Sequence, residues 1–87
     1  MNAEALAEKY IAAVEKTVKD MQRIKGIITV NETCIDEILG YVKAYLEDAK
    51  YFKEQKKFET GLTSIAYCEG LLDALKLIGA VKVPSAS

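Results

Sequence analysis

Apolar residues recur at steps of three and four along three stretches of the chain, the spacing of one face of an α-helix. In the first stretch the stripe is Leu6, Tyr10, Ala13 with Val14, Thr17 with Val18, Met21 and Ile24. It predicts a helix over about 3–25. Asn2 stands where an N-cap is wanted, Glu4 suits the positive end of the helix dipole, and Gly26 is placed to end the helix. The second stripe is Ile35, Ile38, Val42, Tyr45, Ala49 and Phe52, widened by Leu39 and Leu46. It predicts a helix over about 33–55. Thr33 with Asp36 resembles a capping box, and Asn31 is the alternative cap. The third stripe, Phe58, Leu62, Ile65, Cys68 with Glu69, Leu72 and Leu75, predicts a helix over about 58–78. Gly79 is its expected stop, and Pro84 forbids simple continuation. Between the first two helices, Gly26–Asn31 is short and β-branched and reads as a loop that packs Ile27, Ile28 or Val30 on the core.

The expected fold is therefore all-α, a three-helix bundle running up, down and up. Residues 1–80 make one domain, and residues 81–87 are expected to be a disordered tail. The link between the second and third helices is too short for anything but antiparallel neighbours. With its centre near Lys56 and Lys57, residues whose numbers sum to about 113 lie level. That register sets Gly61 against Phe52, Gly70 near Lys43, Gly40 near Asp73, and Cys68 beside Tyr45. Three glycines inside facing helices point to close backbone approach, most clearly at Gly61. Cys34 lies roughly 16 Å along the axis from Cys68, too far for a disulfide, so both are expected to be small buried thiols.

Composition narrows the chemistry. The 87 residues leave no room for two ordinary domains. The chain has no histidine, which removes histidine-dependent triads and mixed cysteine/histidine zinc sites. Twelve basic and 13 acidic residues leave a net charge of −1, with no overall field to steer the chain to nucleic acid or an anionic membrane. No apolar run has the form of a secretory signal or the ~20 residues of a spanning helix. A cytoplasmic location with reduced cysteines is expected.

Two groups of residues remain as candidate sites. Tyr41, Tyr45, Asp48, Tyr67, Glu69 and Asp73 fall near one another in the expected register. They can bridge the helices through hydroxyl–carboxylate hydrogen bonds, or line a polar pocket for a small ligand or a hard cation. The Glu-x-x-His pairing of di-iron bundles is absent, so no metal and no cofactor is expected. Lys50, Lys53, Lys56 and Lys57 form a basic hairpin tip. It suits the negative end of its own helix, and it is the one place for a phosphate or nucleic-acid contact, with Tyr51 as a stacking residue. Nucleic acid is nonetheless the weaker expectation.

The stretch Tyr45–Gly79 carries a Tyr-x-x-Asp-Ala-x-Tyr-Phe segment at Tyr45, Asp48, Ala49, Tyr51 and Phe52. A second segment follows at Tyr67, Gly70, Leu72, Asp73 and Ala74. This resembles a family of small archaeal proteins, domain of unknown function 357. Cys68 replaces the family's usual alanine, and Gly61 sits near a position that is often alanine. The resemblance implies a three-helix all-α fold and an archaeal, cytosolic origin. It implies no activity and carries over no catalytic residue. The expected role is that of a non-enzymatic interaction or structural module that works as a dimer or with another protein. Ile11, beside Val14 and Val18, widens the first stripe beyond one face and is the reason to expect self-association.

Overall fold

Asn2 opens the first helix. Its side-chain Oδ1 accepts the amide of Ala5 at 2.7 Å, filling one of the helix's orphan donors. The computed structural model describes residues 2–84. Three helices follow in order, α1 over Ala3–Asp20, α2 over Glu32–Glu54 and α3 over Phe58–Leu77, with no strand among the described residues. The all-α, three-helix fold is thus present. What the helices pack against is narrower than a closed bundle.

Among the described residues, packing between helices joins α2 and α3 alone. Cys68 and Leu75 of α3 and Val42 of α2 are the buried apolar side chains, with Gly61 beside them. The expected register holds. A Cβ built on Gly61 would lie 3.6 Å from Cβ of Phe52 and 3.4 Å from the Ala49 carbonyl oxygen. The Tyr45 and Tyr67 rings meet with centroids 4.4 Å apart. Cys68 Sγ donates to the Val42 carbonyl at 3.4 Å, less than one turn from its expected level. Close approach is confined to Gly61, because a Cβ at Gly40 or Gly70 would meet nothing within 4 Å. Of the two cysteines, both free, Cys68 is buried and Cys34 is exposed, so the buried-thiol expectation fails for Cys34.

The first helix differs most from expectation. It ends at Asp20 instead of residue 25, and none of its residues is buried. Asp20 puts a negative charge at the helix's own negative end. Without a packed face, nothing local carries the helix further. The loop is accordingly longer, running from the extended Met21 to Asn31. Ile27 is 100% exposed, and Ile28 and Val30 are exposed too, so the loop does not pack on the core. Asn31, not Thr33, caps α2, accepting the Cys34 amide at 2.9 Å. That choice draws Glu32 into the first turn, where its charge suits the dipole. The radius of gyration is 15.9 Å, against about 12 Å for a compact domain of this length.

The turn at the hairpin tip is a Schellman ending built without glycine. Lys57 N–H donates to the Phe52 carbonyl at 2.8 Å and Lys56 N–H to the Lys53 carbonyl at 3.0 Å. Lys56 takes the left-handed conformation, with φ +59°. The same pair of bonds closes α3 from Gly79 and Ala80, where glycine holds φ +74° as expected. A lysine in that conformation costs about 1–2 kcal/mol relative to glycine. Lys56→Gly should therefore raise the stability of the helix pair by about 1 kcal/mol, read as a higher urea midpoint. An unchanged or lower midpoint would contradict the strain. Beyond α3, Val81 is half-buried and Lys82–Pro84 are exposed without regular structure. Residues 85–87 of the expected tail lie outside the described residues.

Candidate functional site

The two residue groups singled out by sequence are placed very differently. Of the six polar candidates, the structure brings together Tyr45 and Tyr67, whose rings stack at an angle of 39° across α2 and α3. Such a pair contributes about 0.5–1.5 kcal/mol beyond its buried area. Tyr41 reaches Glu37 one turn away on its own helix, with 3.5 Å between its hydroxyl and the carboxylate. Asp73 pairs with Lys76, also on its own helix, at 3.3 Å. Asp48 and Glu69 are exposed. Glu69 thus escapes the apolar stripe: it follows Cys68, and the step of 100° per residue carries its side chain round to solvent. Among the described residues no tyrosine–carboxylate hydrogen bond crosses between helices.

Metal chemistry needs several ligands converging at ~2 Å from one point. Among the described residues no group of three or more carboxylates and thiols is arranged in that way. Lys50, Lys53, Lys56 and Lys57 all lie exposed at the hairpin tip. Lys50 is paired with Glu47 at 3.3 Å. The other lysines project positive charge around the turn.

A feature the stripes did not announce lies beside this tip. A shallow groove of about 470 Å³ runs between α2 and α3. Ala49 and Gly61 form its floor, and Leu46, Phe58, Leu62 and Ile65 form its walls. Lys50 and Lys53 stand at its rim. The sequence does hold a signal for it. Phe58, Leu62 and Ile65 follow a helical step on α3. One neighbouring helix covers one face of α3 and leaves the others open. Leu77 is accordingly 87% exposed, and Leu62 is 66% exposed.

The second unmatched surface is α1. Tyr10, Ile11, Val14 and Val18 are each more than half exposed along its length. Its first half carries Glu4, Glu8 and Lys9, and its second half balances Glu15 and Asp20 against Lys16 and Lys19. Helix α2 is acidic at its start, with Glu32, Asp36 and Glu37, and mixed at its end, where Lys50 and Lys53 stand among Glu47, Asp48 and Glu54. Among the described residues no helix is long and apolar enough to cross a membrane. Surface ion pairs contribute little to holding the elements together. Lys16–Asp20, Lys50–Glu47 and Lys76–Asp73 each stay within one helix and are solvent-exposed.

Comparison with known proteins returns one family. A family model described as "Protein of unknown function (DUF357)" matches residues 9–81, which takes in α2, α3 and α1 from Lys9 onward. No curated protein and no solved structure matches the chain.

Proposed function

This chain belongs to the DUF357 family of proteins of unknown function, and we propose that it works as a non-enzymatic interaction module that associates with a second copy of itself. The observation that carries this reading is the surface left uncovered. The chain exposes 7946 Å², whereas a folded monomer of 9.6 kDa exposes about 5,100 Å². The excess, about 2,800 Å², is more than the roughly 1,000–2,500 Å² per chain that obligate homodimers bury. Much of it is apolar side chain on α1, on the linker and on the outer face of α3. Patches of that size on a soluble chain are interaction surfaces. The scatter of the titratable groups supports a role without catalysis. An active site needs acid, base and nucleophile within reach of one point, and Asp48, Glu69 and Asp73 stand on exposed faces.

Sedimentation equilibrium of the full chain tests this directly. Between low and high micromolar concentration the mass should approach twice the chain's 9.6 kDa. A chain that stays monomeric at high micromolar concentration is not a self-associating module.

A further inference from the structure

We infer that the groove between α2 and α3 is the seat of α1 from a second copy, each copy giving its first helix and receiving the other's. This rests on the self-association proposed above and names the surface that makes it.

The two surfaces match in apolar character. Ala49 and Gly61, at the middle of the groove, present no more than a methyl to an incoming helix. The walls are apolar on both sides. The exposed stripe of α1, Leu6, Tyr10, Val14 and Val18, steps by four and spans ~18 Å at 1.5 Å per residue. The groove is lined over residues 46–53 of α2 and 58–65 of α3, ~11 Å of helix at 1.5 Å per residue, and takes about two turns of α1.

Charge contributes at one end. The first half of α1 carries Glu4 and Glu8 with Lys9, a net −1, and lies against the rim lysines Lys50 and Lys53 when α1 runs antiparallel to α2. Its second half is balanced, with Glu15 and Asp20 against Lys16 and Lys19.

The connection between α1 and α2 favours a second copy over return to the same chain. Met21 is extended, with ψ 150°, and Asn31 is extended, with ψ 169°. Among the described residues no backbone hydrogen bond closes a turn between Gln22 and Val30. Gly26, with φ +95°, only bends it. A solvated loop is normally polar, yet this one carries Ile24, Ile27, Ile28 and Val30 on its exposed surface. In an exchanged pair the two connections pass each other at the twofold axis, which covers those residues. An isologous exchange also closes on itself, so one contact, used twice, hides α1 and the groove of both copies and leaves no open end for further growth.

The test places a photo-cross-linking residue in the groove, with Phe58→p-benzoylphenylalanine in the full chain. Nitrogen-15 and natural-abundance copies are mixed, unfolded, refolded together and irradiated, and the joined peptides are weighed. Sedimentation of the same sample reports the mass. The expected result is a dimer in which residue 58 is joined to an α1 peptide, with about half of the joined pairs isotopically mixed, as random pairing of copies requires. A dimer whose α1 cross-links are never mixed, or that has none to α1, overturns the exchange while leaving self-association standing. A monomer overturns both. A second variant guards against a misplaced probe. Val14→Asp puts a charge in the middle of the buried stripe and should weaken dimerisation by at least about a hundredfold, with the helix content of α2 and α3 unchanged. Dimerisation within tenfold of the original chain would overturn the proposal.

Discussion

Leu75→Ala is expected to lower the unfolding free energy by about 2–5 kcal/mol. Leu75 is 1% exposed and is the one large side chain among the described residues that is fully enclosed. It lies in the last turns of α3, a few residues before the Schellman ending at Gly79. Truncation there removes the transfer energy of three carbons and leaves a void between α2 and α3. The surrounding chain is already short of packing, so little can close in. A domain of this length has roughly 4–13 kcal/mol in total, so the loss is a large part of the whole. Urea unfolding followed by circular dichroism measures it. Leu77→Ala is the matched control, because Leu77 stands 87% exposed. Measured at concentrations where the chain is monomeric, it should cost no more than about 0.5 kcal/mol. Equal costs at the two positions would mean that burial does not set the energetics of α3.

The second large effect is expected at Gly61. Alanine there adds one methyl at ordinary contact distance, 3.4 Å from the Ala49 carbonyl and 3.6 Å from Phe52 Cβ. It also gains helix propensity of about 0.5–1 kcal/mol, so Gly61→Ala should be neutral or mildly stabilising. Leucine has to fit a γ-carbon and two methyls into the same gap. With backbone on the other side, the helices must part. Overpacking of this kind costs about 1–3 kcal/mol, read as a clearly lower melting temperature. The contrast between the two substitutions is the informative quantity. An unchanged melting curve for Gly61→Leu would remove the close approach of α2 and α3 from the account of the fold.

What could be read in the sequence divides along a physical line. Helix identity and the α2–α3 register depend on local geometry: periodicity, the Asn2 cap, a short turn and a glycine stop. These were legible. Phe52 does face Gly61, and Cys68 sits within a turn of Tyr45, at Val42. The end of α1 was not legible, because a stripe extends a helix only where something packs against it. The same holds for its partner. A stripe of Leu6, Tyr10, Val14 and Val18 says that a cover is wanted, but not which surface supplies it. The tyrosine–carboxylate bridges failed for another reason. Register fixes where a Cβ lies to within a turn, but a tyrosine hydroxyl sits far out on its lever, and rotamer choice decides its partner. Tyr41 thus turns to Glu37 on its own helix. DUF357 membership adds the family and not an activity.

The stand-off of α1 also sets the order of events in time. All packing between helices lies in one hairpin of near neighbours in sequence, so hairpin formation is unimolecular and belongs with the fast, local-contact folders. It runs at the same rate however dilute the chain is. Under the proposed exchange, burial of α1 in another copy would be a bimolecular step whose rate scales with concentration. During synthesis the first helix would emerge before the surface proposed to receive it. At low expression the chain would then wait as a folded hairpin with an unclaimed helix, and the supply of chains would set the pace of maturation.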